Sequence, residues 1–348
     1  MVKVELPINL DNIECVTECW TFNRMLILKT SSYYEDWVAS HYNLFVVNGR
    51  FHFEQLIYTP EMYDTILCRR QIRYFEMTES NIVDRFKQEL RNGYYLNVMT
   101  KPNIADDWYH EIVLYGYDDR KEIFYAIGFE GYKFIKVQYS YQFIVDMLKE
   151  MKYYFLNEEP KRGLRLSEVF QYPISAFRLK EDYSVEACSF GAFHKLRTEL
   201  NGKYFGEDVR NIDNWTYTGI SCLVAWEDFL NEIAGGKSEF SSFLQIETIA
   251  KILHEHRKMM LISMKYLQKK WSKALKKEFA DNILKYQECC KYVGKWKNMA
   301  IKYKMTNDKE LLKKILVEIP SVYDKEYSCL DNLVNHCIDW DKFNEYYI

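Results

Sequence analysis

The stretch "WYHEIVLYGYDD" (residues 108–119) decides the fold of the first half of this 348-residue chain. A run of Ile, Val, Leu and Tyr that ends at a glycine and two aspartates is typical of a strand leading into a turn. After "DDRK" the chain continues as "EIFYAIGF", a second apolar run. We therefore predict a hairpin whose first strand begins at His110. A histidine there is either partly buried or placed to reach a cleft.

The residues on both sides of this hairpin predict an antiparallel sheet with helices. Three further segments rich in aromatic and β-branched residues predict strands, namely "YNLFVV" (42–47), "IRYFEM" (72–77) and "GYYLNVM" (93–99). "CVTECWTFNRMLILK" (15–29) and "YSYQFIVDMLKEMKYYF" (139–155) predict helices, and "YPISAFRLK" (172–180) one more strand. The fold class expected is α+β, with an N-terminal helix and an antiparallel sheet.

The second half of the chain predicts helices. "SVEACSFGAFHKLRTEL" (184–200) and "CLVAWEDFLNEIAGG" (222–236) each have helical apolar spacing. Between Phe243 and about Tyr303 apolar residues recur every three or four positions, which predicts one long helix or two helices in line. Because Pro and Gly in "NEEPKRGLRL" (157–166) mark a boundary, we predict a first domain at 1–165 and a helical domain at 166–348.

Composition limits the possible functions. The formal net charge is −3, and no run of about 18 apolar residues or secretory leader is present. We therefore expect a cytoplasmic protein with no membrane partner. The nine cysteines form no CxxC pair, so we expect reduced thiols and no metal site. His254 and His256 lack the i,i+4 spacing of two ligands on one helix face.

A histidine that acts as a general base needs a nucleophile. A thiol is activated best at a helix N-terminus, where backbone N–H groups and the helix dipole stabilise the thiolate. Cys15 follows the polar "NLDNIE", with Asp11 and Asn12 as capping candidates, and precedes the first predicted helix. Cys19 lies one turn further in, where the dipole contributes less. Cys15 is therefore the candidate nucleophile, and a buried structural cysteine is the alternative.

The cysteine segment "ECVTECW" and the later "HEIVLYGYDD" resemble a known family. They are similar to papain-fold proteins related to bacteriocin-processing peptidases, in the group of butirosin biosynthesis protein H-like acyltransferases. The helical second half, with "ILHEHRKMMLISMKYLQ" (252–268), also resembles that group. Within it, amide synthetases of the closthioamide type join thiotemplated chains to a diamine. The resemblance implies a papain-like cysteine-protease fold with a C-terminal, mostly helical domain that covers the cleft.

The resemblance also implies a chemistry. An acyl chain would move from a carrier-protein thioester through an acyl-enzyme to an amine or diamine. Because no phosphate-loop pattern suggests ATP, an activated acyl group such as a thioester is required. No cofactor is expected on the enzyme, and phosphopantetheine is expected on the carrier protein. The alternatives are a cysteine peptidase or thioesterase that uses water, and a catalytically inactive adaptor of the same fold.

Site residues follow from the same resemblance. Cys15 would be the nucleophile, His110 its base, and Asn9 the oxyanion donor at the position where relatives have a glutamine. The alternative for Asn9 is a surface or capping asparagine. The aspartate of the relatives falls near Gly128 in this chain, so the residue that orients His110 is open. The candidates are Glu130 and the pair at 118–119. The latter pair, Asp118 and Asp119, would more simply form the turn.

Charge is unevenly placed along the helical half. Between Arg257 and Lys304, fourteen basic residues stand against three acidic ones. We predict an acidic acyl or peptidyl carrier protein as the partner, docking at Lys269, Lys270 and Lys273. The alternative is the solvated face of an amphipathic helix. Nucleic acid is the lesser alternative, because no base-stacking aromatic residues are visibly set among these lysines.

Overall fold

The computed structural model describes most of the chain. The described residues are 2–11, 13–17, 19–42, 44–47, 52–55, 65–72, 78–100, 110–130, 133–157, 174–183, 188–202, 216–236 and 245–345. The chain divides into two compact units. A sheet unit comprises Met1–Ser32 and Pro60–Tyr183, and a helical unit comprises Tyr33–Thr59 and Ser184–Ile348. The two units differ from the predicted domains, 1–165 and 166–348, at both segment 33–59 and the stretch up to residue 183.

Strands and helices are labelled in chain order within the described residues. The strands are β1 (Lys3–Glu5), β2 (Leu44–Val47), β3 (His52–Gln55), β4 (Leu67–Gln71), β5 (Tyr95–Thr100), β6 (His110–Asp118), β7 (Ile123–Glu130), β8 (Lys133–Ser140), β9 (Ile174–Leu179) and β10 (Thr216–Thr218). The α-helices are α1 (Cys19–Leu28), α2 (Tyr34–His41), α3 (Ile82–Arg91), α4 (Tyr141–Asn157), α5 (Cys188–Asn201), α6 (Cys222–Ala234), α7 (Ile246–Lys270), α8 (Glu278–Thr306), α9 (Lys309–Asp331) and α10 (Trp340–Glu345).

The sheet unit is α+β, as predicted. Its sheet has the strand order β4-β9-β5-β6-β7-β8, and β1 pairs with β6. Every described pairing in it is antiparallel. The predicted hairpin is confirmed, with β6 and β7 joined by the turn after Asp118. The predicted segments 15–29 and 172–180 contain α1 and β9, and segment 139–155 covers α4 except for its last two residues. Most of the predicted strand at 72–77 lies outside the described residues.

The two faces of this sheet are covered by different helices. On one face, apolar residues of α3 and α4 join those of the central strands in one core, including Phe86, Leu90, Ile112, Leu114, Phe124 and Ile144. On the other face lies α1, whose Phe22 stacks on Phe134 of β8 with ring centroids 3.7 Å apart. Strand side chains alternate between the two faces, which is why neighbouring residues of β6 reach different helices.

The helical unit contains the other helices and a small sheet of strand order β10-β2-β3. The predicted strand at 42–47 therefore exists, but β2 belongs to this sheet and not to the large one. Gly219 follows β10 with φ +57°, and a Cβ there would lie 2.5 Å from the Glu199 carbonyl oxygen. Only glycine fits this contact with α5. None of the described helices is long and apolar enough to cross a membrane.

Helices α7 and α8 form an antiparallel hairpin, so the prediction of helices in line was wrong. His254 of α7 lies against Gly294 of α8, a contact possible only if the second helix turns back. The connection 271–277 contains no Gly or Pro, so the apolar pattern gave no sign of a turn. There Trp271 ends α7 and Leu275 pairs with Ile338 in an isolated bridge.

Buried charged side chains connect four helices of the helical unit. Arg257 of α7 donates to Glu326 of α9 from Nε (3.1 Å) and Nη2 (2.7 Å). The Tyr286 hydroxyl of α8 donates to the other Glu326 oxygen (2.9 Å), and His256 Nε2 lies 2.7 Å from Glu199 of α5. All five side chains are almost fully buried. Opposite charges that are hydrogen-bonded in this way compensate each other, whereas loss of one partner would leave the other charge buried and unpaired.

Candidate active site

Helix α1 begins at Cys19 and not at Cys15. Cys15 lies in the non-helical segment 13–17, forms no disulfide with a described residue and is only 1% exposed. The unpaired backbone N–H groups and the positive end of the helix dipole belong to the first turn. The thiolate-stabilising position that the sequence assigned to Cys15 is therefore held by Cys19, whose side chain lies outside the described structure.

Four contacts fix how α1 lies on the sheet. The Asn23 side chain donates to Asn97 Oδ1 of β5 (2.7 Å) and to the Glu111 carbonyl oxygen of β6 (3.3 Å). Arg24 Nη1 lies 3.8 Å from Glu111 Oε2, and its guanidinium lies 5.1 Å from the Phe177 ring centroid. Asn23, Asn97 and Glu111 are buried, so this is a polar cluster inside the apolar interface. Sequence reasoning missed it, although an Asn and a Glu set in apolar strands were the available signal.

The start of α1 lies at one particular edge of the sheet. Phe22, in the first turn, stacks on Phe134, and Phe134 lies 5.2 Å from Phe129 near the end of β7. β6 begins at His110 and β7 ends at Glu130. Val113 of β6 pairs with Ile127 of β7, and the two strands are antiparallel, so the start of β6 and the end of β7 lie at the same end of this strand pair. The first turn of α1, the start of β6 and the end of β7 therefore meet at one edge.

His110 opens β6, as predicted, and pairs with Thr100 of β5. Its side chain and that of Glu130 lie outside the described structure. Glu130 stays the candidate to orient His110, because both residues lie at the same end of the antiparallel β6–β7 pair.

Asp118 and Asp119 cannot orient His110, which corrects that part of the prediction. They lie at the other end of β6, and eight residues at about 3.3 Å each separate Asp118 from His110 by roughly 26 Å. Asp118 Oδ1 accepts from the Arg120 backbone N–H (2.9 Å), which holds the turn. Asp119 Oδ1 contacts Lys87 Nζ at 2.7 Å. The simpler interpretation, that the pair forms the turn, is confirmed.

The glycine of the "GYDD" motif also has a structural role. Gly116 pairs with Glu5 of β1 beside a register shift in β6. A Cβ at this position would collide with the Val4 carbonyl oxygen and lie 2.9 Å from Glu5 Cα. Tyr117 is buried and its hydroxyl accepts from Arg91 Nε (2.6 Å). Gly116 and Tyr117 of the motif therefore serve the packing of β1 and α3 on the sheet.

The position at which the resemblance predicts an aspartate is closed in this chain. A Cβ at Gly128 would lie 2.8 Å from the Tyr139 hydroxyl oxygen and 3.0 Å from Val137 Cγ2. An aspartate there would require β8 side chains to move. The space that an aspartate side chain would need at position 128 is therefore filled by side chains of β8.

Asn9, the predicted oxyanion donor, is exposed and has a local hydrogen bond. Its Oδ1 accepts from the Asp11 backbone N–H (2.8 Å), as in an Asx turn. An oxyanion contact would have to come from the Nδ2 group.

The predicted docking lysines lie in the helical unit. Lys269 Nζ is 3.7 Å from Glu35, and Lys270 Nζ is 4.0 Å from Asp36, so their charges are partly balanced by α2. Lys273 is exposed in the 3-10 turn after α7. Arg257, counted among the fourteen basic residues, is buried and does not belong to any surface.

Comparison with known proteins adds no assignment. No protein family model matches the chain. No curated protein matches it either.

Proposed function

We propose that the chain is an amide-forming acyltransferase of thiotemplated natural-product biosynthesis with a papain-like sheet unit. The observation that supports it is the meeting of three positions at one edge of the sheet. These are the first turn of α1, which begins at Cys19, the start of β6 at His110 and the end of β7 at Glu130. A helix start that carries a thiol beside a strand that carries an imidazole is the arrangement a cysteine nucleophile needs.

Two thiols are candidates for the nucleophile. The resemblance favours Cys15, whereas the start of α1 favours Cys19. Cys15 is buried in the segment whose Glu14 binds Lys29 (3.3 Å), so a substrate would reach it only if that segment moved. Cys19 already lies in the first turn of α1, so its position at the helix start requires no movement of segment 13–17.

The proposed reaction has two steps, acylation of the cysteine and transfer of the acyl group to an amine. The cysteine gives its proton to His110, and its sulfur forms a bond to the thioester carbonyl carbon of the carrier-bound acyl group. The bond from that carbon to the phosphopantetheine sulfur breaks, and the leaving thiolate takes the proton from the imidazolium. An amine then attacks the acyl-enzyme, its nitrogen bonds the carbonyl carbon as the enzyme C–S bond breaks, and its proton returns to the cysteine through His110. An oxyanion donor stabilises both tetrahedral intermediates.

Intact-protein mass spectrometry tests this proposal. After incubation with a carrier-bound acyl thioester, we expect the protein mass to increase by one acyl group, and to fall back when an amine is added. If Cys19 is the nucleophile, Cys19→Ala removes the increment and Cys15→Ala keeps it; the reverse result assigns Cys15. His110→Ala should slow acylation strongly, and Glu130→Gln less so. Loss of the acyl group to water alone, without amide product, would make the protein a thioesterase or peptidase.

A catalytically inactive adaptor is the second candidate. It is favoured by the closed space at Gly128 and by the burial of Cys15. If no variant and no wild-type sample acquires acyl mass, and neither cysteine reacts with iodoacetamide near pH 7, the adaptor interpretation replaces the enzyme.

The proposed partner is an acidic carrier protein that docks on the lysine-rich turn between α7 and α8. Lys273, Lys276 and Lys277 are exposed there, and none makes an ion pair with a described residue. Their charges are therefore available to a partner, in contrast to Lys269 and Lys270.

A further inference from the structure

His254 occupies an unusual place between α7 and α8. Its ring lies on the backbone of Gly294, where a Cβ would be 3.2 Å from Nε2 and 3.6 Å from Cδ2. Glycine in a helix interior costs about 1 kcal/mol relative to alanine, so a position in the middle of the 29-residue helix α8 normally favours a side chain. Gly294 makes room for the imidazole.

Each of the two helices carries one lysine about one turn from this contact. Lys258 follows His254 by one turn on α7, and Lys297 follows Gly294 by one turn on α8. Neither lysine makes an ion pair within the described part of the chain. Burial, and then the charges of Lys258, Lys297 and Arg257, lower the pKa of His254 to about 4. Arg257 is already paired with Glu326, so the two lysines are the cations left to bind an anion.

We propose that His254, Lys258 and Lys297 form a binding site for a phosphate group on the seam between α7 and α8. The two ammonium groups supply positive charge, and the neutral, half-buried imidazole has one ring N–H that can donate to a phosphate oxygen. The site is independent of the acyltransferase proposal, because it uses no residue of the sheet unit. The phosphate belongs either to a small molecule or to a phosphate-bearing macromolecule.

NMR titration of the histidine signals, in a buffer free of phosphate, tests the site. A bound phosphate, which carries about one negative charge near pH 4, offsets part of the lysine charge, so inorganic phosphate should raise the pKa of His254 from about 4. Replacing both lysines (Lys258→Gln with Lys297→Gln) should weaken phosphate binding about tenfold or more. The matched control is Lys265→Gln with Lys285→Gln, which removes two exposed lysines from the same helices and should leave affinity unchanged. Circular dichroism checks that both variants fold.

A second arm identifies the source of the phosphate. A phosphorylated small molecule should compete with inorganic phosphate. The salt dependence of its affinity should correspond to about two ion pairs, one for each lysine. A single-stranded 12-nucleotide oligomer that binds with a much steeper salt dependence, and is weakened equally by both double variants, would show a general nucleic-acid surface and overturn the site. Unchanged His254 signals at millimolar phosphate, or equal affinities for the two double variants, would also overturn it.

Discussion

At the residue scale, the aspartates of the "GYDD" stretch, which were candidates for catalysis, make structural hydrogen bonds. Asp119 connects two helices and the N-terminal segment, since it binds Lys87 of α3, the Tyr141 hydroxyl of α4 (3.1 Å) and the Val2 backbone N–H (3.2 Å). These bonds, led by that from Lys87, hold the pKa of the Asp119 carboxyl below its usual value. A lowered pKa in this case reports a structural bond and not a catalytic acid.

Asp119→Asn should destabilise the protein by about 1 kcal/mol at pH 7, because the charge-assisted bond to Lys87 is lost. The folded-state pKa lies below the unfolded one, so the stabilisation is complete above about pH 4 and is lost as the pH falls through the folded value. Urea unfolding from pH 7 down to pH 2 should therefore show a shallower loss of stability below about pH 4 in the variant.

The control for this measurement is Asp84→Asn. Asp84 also approaches Lys87, at 4.0 Å, but its side chain is 86% exposed. We expect little change in stability and an unchanged pH dependence for it. Equal pH profiles for wild type and Asp119→Asn would contradict the role given to Asp119.

At the scale of elements, the attachment of β1 depends on a backbone contact. β1 has only three residues, and Gly116 brings its backbone against β6. The Leu6 backbone N–H continues the contact by donating to the Tyr115 carbonyl (2.7 Å). A strand this short is held chiefly by its neighbours, so a side chain at 116 should displace it.

Gly116→Ala should lower the stability by roughly 1–3 kcal/mol, because the new Cβ would overlap the Val4 carbonyl oxygen. Amide hydrogen exchange should show loss of protection at Leu6 before the rest of the sheet. Gly235→Ala is the control, since Gly235 has an ordinary helical φ of −72° at the end of α6. Unchanged protection at Leu6 in Gly116→Ala would mean that β1 tolerates the side chain.

At the scale of the whole molecule, charge and burial are distributed unevenly. The helical unit places Arg257, Glu326, His256 and Glu199 in its interior and leaves lysines on its surface. Buried pairs of this kind tie α5, α7, α8 and α9 to one arrangement. The surface lysines are the part that a partner can use.

Replacing the turn lysines should weaken docking of an acidic carrier protein. We expect Lys273→Glu, Lys276→Glu and Lys277→Glu together to reduce carrier affinity at least tenfold at low salt, through a slower association rate. Affinity of the wild type should also fall as the ionic strength rises. The control is a triple change to Glu at Lys304, Lys309 and Lys314, which carries the same charge change at the other end of α8. Affinity that is insensitive to salt and to the first triple change would exclude this docking surface.

Sequence alone determined the elements whose residues carry a local signal. The β6–β7 hairpin, α1, α4 and β9 all follow from apolar periodicity and turn residues within about fifteen positions. The strand at 42–47 and the strand-end position of His110 were predicted for the same reason. Period and turn chemistry are properties of neighbouring residues, so they can be read without knowing what lies across the fold.

Only the tertiary structure decided which distant residues meet. It gave β2 to the helical unit through pairing with residues 216–218, and it folded α7 and α8 into a hairpin without a Gly or Pro at the turn. In the structure α1 begins at Cys19, which makes Cys19 a second candidate for the nucleophile. Asp119 is paired with Lys87, which excludes it as the residue that orients His110. The physical reason is that strand pairing, helix ends and ion pairs are settled by contacts between segments far apart in the chain, and no local pattern records those partners.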